Sequence, residues 1–311
     1  MPLSLEAWNP DYALLQVEFD QGEPLEGVDT SIELPWKPLE PAKVPWPTLY
    51  LVDGRQRIDA ILADERGHRA LLVTVAAGAL VRDQVSIRLF GEPWVRRILL
   101  RTAGFSAQEF ALGSMNYRAK EVEAGDLRTL VQTVNPLMRA LEAELATTLP
   151  GALVILDGPI YAPEGHAPGA RVMGYAKTMW QRYLPKDRES ILSELRPATR
   201  TPLFFIPKSA RRKLDLFSWY LRLPLEPSLP FHSAASLLRA EVVAGDIESA
   251  RKLADLSVDI FSTMASSPVR DPRAPQNLVP VGGLEALIGR HMGQKELVRR
   301  KIVQALSGGA T

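Results

Sequence analysis

The chain has 311 residues, 46% hydrophobic and 23% charged, with no cysteine and a formal net charge of +1. That is the profile of a globular protein with a sizeable core, in one large domain or two smaller ones. It excludes disulfides, thiolate zinc sites and cysteine nucleophiles, and it excludes a global field strong enough to hold polyanions, so any nucleic-acid contact must be local.

No basic-then-apolar leader opens the chain and no apolar run is long enough to span a bilayer, so a cytoplasmic protein without membrane contact is expected. Residues 1–46 are rich in proline and acids, with Pro35-Trp36 and Pro45-Trp46 near the end. Proline disfavours regular structure, so this reads as an extended arm that packs its tryptophans on the body.

The run Leu49–Val52 is bulky and β-prone, bounded by Pro47 and Gly54, and reads as a buried strand with Asp53 at its carboxyl end. Open α/β sheets place ligands at such ends. Residues 57–62 and 69–75 read as further strands around a turn at Asp64–His68, a hairpin on the first strand. Asp59 is a rival acid, an even number of residues from Asp53. Arg55 and Arg57 follow the glycine, and Trp94, Arg96, Arg97 and Arg101 interleave an aromatic with bases. Such a mixture suits a phosphate backbone with a stacked base, or else a solvated charged face.

Residues 125–148 form the clearest helix, with Leu130, Val134, Leu137, Met138, Leu141 and Leu145 in one stripe and Pro136 predicting a kink or a fresh start. Glu142 falls at the edge of that stripe and Glu144 further round towards solvent. A carboxylate on a buried edge needs a partner, either a shared cation or a nearby arginine. Leu153–Leu156 repeats the pattern of the first strand and ends in Asp157-Gly158. Two strands ending in Asp-Gly are ordinary turn chemistry or a divalent-metal site built on a sheet. A Pro/Gly-rich loop follows, then a strand from Arg171 with Lys177 near its end, where an ammonium can hold a phosphate. Thr201–Ile206 reads as an apolar run and Phe217–Leu223 as a strand, around a basic turn holding Lys208, Arg211 and Arg212. Residues 234–266 read as helical with a break near Gly245-Asp246, 270–275 as a proline-rich linker, and Leu284 to about Leu306 as a last helix carrying His291 on its apolar stripe.

Strand-Asp53-Gly54, Arg139-Ala-Leu-Glu142, Leu156-Asp157-Gly158-Pro159, Gly174-Tyr-Ala-Lys177 and the closing helix together resemble the NurA nuclease family, over roughly Leu49 to His291. The resemblance implies an α/β, RNase H-like mixed β-sheet flanked by helices, with the arm at 1–46 and a nuclease domain at 47–311. It implies a Mn²⁺- or Mg²⁺-dependent deoxyribonuclease with two ions, a 5′–3′ exonuclease and/or single-strand endonuclease. It further implies a nucleoid-associated homodimer acting in DNA end resection and double-strand break repair with a HerA-like hexameric ATPase. Carried across, Asp53, Glu142 and Asp157 are the metal carboxylates and Lys177 lies near the phosphate. The family's Tyr-Pro and Ala-His are here Val279-Pro280 and Ala286-Leu287, and His291, one turn on, is the candidate fourth member.

Two other readings use the same residues. An actin-like ATPase or sugar kinase also uses strand-Asp-Gly turns, but it needs glycine-rich phosphate loops where this chain has Arg55-Gln-Arg57 and Pro159-Ile160. A catalytically silent DNA-binding scaffold docked on a translocase is kept open by the departures at Val279 and Leu287.

Overall fold

The computed structural model describes residues 25–123, 126–151, 153–162, 171–177, 182–209, 212–225, 236–267 and 274–308. The first half of the expected arm, most of the Pro/Gly-rich loop, Arg211 and most of the 270–275 linker lie outside the described residues. In chain order the elements are β1 (Leu49–Ala63), β2 (Arg69–Arg82), β3 (Ile87–Leu89), β4 (Trp94–Thr102), β5 (Glu109–Leu112), β6 (Met115–Val122) and helix α1 (Leu127–Thr147). There follow β7 (Leu153–Asp157), β8 (Val172–Ala176), a 3-10 turn (Lys186–Arg188), α2 (Ile191–Glu194), β9 (Phe204–Ile206), β10 (Leu216–Arg222), β11 (Leu237–Val243), α3 (Ile247–Met264), α4 (Val279–His291) and α5 (Lys295–Gly308).

The chain divides into two compact units, each assembled from three segments. One comprises Met1–Leu51, Val81–Ile87 and Leu149–Gly282, the other Val52–Leu80, Arg88–Thr148 and Gly283–Thr311. Because the segments interleave, no single linker marks a boundary in the sequence.

In the first unit the strands run in the order β7-β8-β11-β10-β9. β7 and β8 are parallel and the other pairs antiparallel, a mixed sheet. Helix α3 packs on β10 and β11, with Phe261 against the Tyr175 ring at 4.9 Å. The described part of the arm is extended and bridges the body at Asp29↔Phe205 and Leu39↔Arg200. Both of its tryptophans contact this unit. Trp36 donates to Arg188 O at 3.2 Å, and Trp46 lies 4.0 Å from the Arg82 guanidinium and donates to Asp259.

A buried ion cluster fastens this arm. Glu33 accepts from Arg200 Nη1 at 2.9 Å, from Nη2 at 3.1 Å and from the Leu203 amide at 2.6 Å, while Asp255 takes Arg200 Nε at 2.6 Å. Burial pushes the Glu33 carboxyl up, but the Arg200 and Leu203 hydrogen bonds outweigh it and hold the group below its usual 4.5. The cluster's contribution is therefore complete above pH 4.5 and is lost as pH falls through the depressed folded value. Glu33→Gln is expected to cost ~2 kcal/mol at pH 7. In urea melts that gap should narrow as pH falls below 4.5. A gap independent of pH would rule the cluster out as the cause.

In the second unit the order is β5-β6-β4-β2-β1. β2–β4 and β5–β6 are antiparallel and β4–β6 parallel, again a mixed sheet. Its core gathers Leu72, Leu99, Phe105 and Tyr117 with Val298 and Ile302 of α5. β1 and β2 are joined at Asp64–His68, where the Asp64 carboxylate accepts from the Arg66 and His68 amides, the expected hairpin.

Four expectations are corrected. First, β1 does not stop at Asp53 but runs on to Ala63. Gly54 serves close packing and not a turn. Second, of the kink or fresh start expected at Pro136, the fresh start does not occur: α1 is one helix through it, capped by the Asp126 carboxylate on Thr129 N. Third, residues 237–243 are strand β11 and only Ile247–Met264 is helix. β11 lies between β8 and β10 with both faces covered, so its apolar run is indistinguishable from a buried helix by periodicity. Arg239 and Glu241, two apart and so on one face, pair with each other. Fourth, the closing helix is two, broken at Gly293, whose φ of +80° suits the residue just past a helix end.

Candidate functional site

The expected site residues fall in both units. In the second, Asp53 is 6% exposed on β1 and Glu142 is 2% exposed on α1. Glu142 packs against the backbone of β1 at Gly54, the residue after Asp53. A Cβ built on Gly54 would stand 2.5 Å from Glu142 Oε1, 2.9 Å from Met138 Cγ and 3.1 Å from Ala76 O. The absent side chain is what lets the Glu142 carboxylate sit against the backbone next to Asp53. Glu142 Oε2 meets Arg139 Nη1 at 3.1 Å, the nearby arginine that was one of the two partners expected for it. Glu144 faces outward, as the helical spacing requires, in an exposed pair with Arg96 at 2.5 Å. Asp59, the rival acid, is held by Arg57 Nε at 2.6 Å, Thr74 Oγ1 at 2.5 Å and Tyr117 Oη at 2.9 Å. That is a structural anchor inside the unit. It pushes the Tyr117 hydroxyl up to about 12, chiefly through burial and then through the Asp59 charge.

Glu285 belongs with this cluster and was missed from the sequence. One of its carboxylate oxygens lies within 4.8 Å of one of Asp53's. The closing helix was expected to begin at Leu284, which leaves Glu285 at a helix end. It begins instead at Val279, so Glu285 sits in mid-helix, beside the buried Leu284 and Ile288. Arg55 reaches the same turn and donates to Glu285 O at 3.1 Å.

In the first unit Asp157 closes β7, and Gly158 follows with φ +122°, the turn conformation that Asp-Gly predicted. Lys177, directly after β8, donates to Asp157 Oδ2 at 2.5 Å and to Asn277 Oδ1 at 3.0 Å. Parallel pairing of β7 with β8 sets Asp157 opposite Tyr175, which brings the two strand ends level. Gly174 permits this approach, since a Cβ there would lie 2.8 Å from Gly158 O and from Ile160 N. Asn277 is a second residue the sequence reading passed over. It is buried, and its distance in sequence from Lys177 left no local signal.

His291 is placed differently from the expectation. It is exposed at the last turn of α4, and its Nδ1 is 3.0 Å from Leu287 O of the same helix. The break at Gly293, unseen in the periodicity, puts it at a helix end and off any buried stripe. Several of the candidate DNA-contacting arginines hold α4 and α1 in place. Arg57 donates to Gly293 O at 2.7 Å and Met292 O at 3.2 Å, Arg97 to Met292 O at 3.5 Å, and Arg96 pairs with Glu144. Cations on the last carbonyls of a helix also complement its dipole. Trp94 is half-buried on β4, and Arg55 and Lys208 are exposed.

Chemically, the second unit offers hard carboxylate oxygens from Asp53, Glu142 and Glu285, buried or half-buried. Carboxylates as close as those of Asp53 and Glu285 are stabilised in the charged form by a cation, and oxygen donors suit Mg²⁺ or Mn²⁺. The first unit offers an acid already paired with a fixed ammonium. The oxygens of Asp53 and Glu285 therefore fit a divalent ion.

A model of the NurA domain matches residues 121–281. No curated protein matches this chain. Among solved structures, that of the NurA nuclease from Sulfolobus solfataricus is similar at 12% identity and a TM-score of 0.49, over 88% of this chain and 86% of that one. A structure of NurA is similar at 19% identity and a TM-score of 0.19, over 42% of this chain and 25% of that one. Among the described residues no helix is long and apolar enough to cross a membrane.

Proposed function

The chain belongs to the NurA family, and from that premise we propose that it is a divalent-metal-dependent deoxyribonuclease with Asp53, Glu142 and Asp157 as its metal carboxylates. The observation that carries this reading is the approach of two carboxylates within one unit, the buried Asp53 of β1 and Glu285 of α4, with an oxygen of each within 4.8 Å of the other. Folding brings such a pair together only at a cost, which a bound cation offsets. Glu285 is a further oxygen donor beside Asp53. His291, the candidate fourth member, is exposed at the end of α4, and its Nδ1 contact with Leu287 O leaves Nε2 as the ring nitrogen for a metal.

The residues divide the work of phosphodiester hydrolysis. The Lys177 ammonium, held between Asp157 and Asn277, presents a fixed positive charge to a phosphate oxygen as charge builds there. Asn277, an amide that accepts without neutralising, positions that lysine. When bound, the metal lowers the pKa of a water towards neutrality and draws charge from the phosphate. Arg55, exposed and tethered through the Glu285 carbonyl, meets the DNA backbone beside the acids. The preferred ion is Mn²⁺ or Mg²⁺. The wider assignment, by family, is an RNase H-like core in a homodimer that processes DNA ends with a HerA-like ATPase.

Cleavage of end-labelled single-stranded and duplex DNA tests the reading. Products are expected with Mn²⁺, none with EDTA, and recovery when Mn²⁺ is restored in excess. A gel shift with no cleavage at any metal concentration would instead mark a silent DNA-binding scaffold. Within the site, Glu142→Gln should lower the cleavage rate about 100-fold and Glu144→Gln less than about twofold, because the first removes a charged buried donor and the second only an exposed ion pair. If the two variants rank in the opposite order, the wrong acid has been chosen.

A further inference from the structure

Beyond the acids, the turn that follows Asp157 forms one wall of a small cavity in the first unit, about 200 Å³ in volume. Tyr161, Tyr183, Arg212, Lys213, Arg239 and Glu241 line it. Its base is a buried, mutually neutralised pair on β11. Arg239 Nη1 donates to Glu241 Oε2 and, at 3.0 Å, to Ser218 Oγ. Glu241 Oε1 accepts the Ile160 amide at 2.7 Å, which ties the cavity to the Asp157 turn. One wall is the Tyr183 ring, fixed by the Arg239 guanidinium 4.1 Å from its centroid, with Arg212 at 5.8 Å. The rim is cationic, formed by Arg212 and by exposed Lys213.

These features select a ligand. An aromatic wall favours a flat π-system, a base carrying both guanidinium and carboxylate groups suits an edge with donors and acceptors, and a cationic rim suits a phosphate left outside. The volume is enough for one base. A double helix would have to open to use it. We infer that this cavity receives one unstacked base of single-stranded DNA, with its backbone phosphate at Arg212 and Lys213. The inference rests on the nuclease reading for its position, since the cavity begins two residues beyond Asp157. It specifies the substrate as a strand with at least one unpaired base next to the scissile phosphate.

An abasic scan tests this with the full chain in EDTA, so that no cleavage is needed. Fluorescein-labelled single-stranded oligonucleotides, each lacking one base, are titrated by anisotropy. The wild type is expected to show a Kd about fivefold or more higher when the missing base falls at one particular position. Tyr183→Phe should retain that position dependence and Tyr183→Ala should lose it, with all oligonucleotides then within about twofold of one another. Arg212→Ala should weaken every oligonucleotide alike and lower the salt dependence. A wild type insensitive to base removal at every position overturns the pocket, and so does a folded Tyr183→Ala that keeps the penalty. Should Tyr183→Ala fail to fold, the wild-type scan still decides. A position-dependent penalty in EDTA together with no cleavage in Mn²⁺ would leave the pocket standing and remove the nuclease reading.

Discussion

Asp157→Asn is expected to abolish metal-dependent DNA cleavage in a protein that still folds. Asparagine fits the end of β7 sterically, and the turn behind it depends on Gly158 at φ +122° and not on the acid. An amide nevertheless binds a hard cation poorly, and it cannot neutralise the Lys177 ammonium that Asp157 now holds at 2.5 Å. The lysine keeps Asn277, so its position is loosened and not lost. Losing several kcal/mol of charge stabilisation corresponds to a rate lower by about 10²–10³-fold. Losing the half-buried ion pair should cost only about 1 kcal/mol of stability. Circular dichroism melts read the second effect and initial cleavage rates the first. A folded variant with full activity would remove Asp157 from the site.

Gly54→Ala is expected to damage both stability and activity although it adds one methyl group to a strand. That methyl would lie 2.5 Å from Glu142 Oε1, 2.9 Å from Met138 Cγ and 3.1 Å from Ala76 O. The carbonyl belongs to the backbone and cannot rotate away, so α1 or the Glu142 carboxylate must move. Overpacking of this kind costs ~1–3 kcal/mol. Displacing a site carboxylate by about 1 Å costs up to ~10²-fold in rate. Gly245→Ala is the matched control, since a Cβ there meets nothing within 4 Å. If the two variants melt and cleave alike, Gly54 has no packing role in the site.

How legible each part was follows from the physics of its signal. Helix α1 was readable because a one-sided stripe has a period of its own, and that period alone separated buried Glu142 from exposed Glu144. Asp157-Gly158 was readable because a strand end and a positive-φ turn leave a local mark. Asp53-Gly54 carries the same two letters but serves an approach from α1, some 90 residues away in sequence, which no local pattern records. β11 was misread because a strand covered on both faces has no alternation to show. Asn277 and Glu285 were passed over for the same underlying reason. The first is defined by Lys177, 100 residues distant, and the second by a helix that starts earlier than its apolar residues suggest. The arginine-rich strand β4 resembled a DNA contact in composition, but Arg96 and Arg97 serve α1 and the end of α4. Composition does not distinguish a phosphate ligand from a helix-carbonyl ligand.

Direct measurement of Mn²⁺ binding tests the central claim most closely, because it asks about the carboxylates without requiring turnover. Free Mn²⁺ is followed by electron paramagnetic resonance as the protein is titrated, for the wild type and for Asp53→Asn, Glu142→Gln, Asp157→Asn and Glu144→Gln. The account predicts saturable binding to the wild type, weakening by about tenfold or more in each of the first three variants, and no change in Glu144→Gln. Equal affinity in the wild type and all three site variants would contradict it.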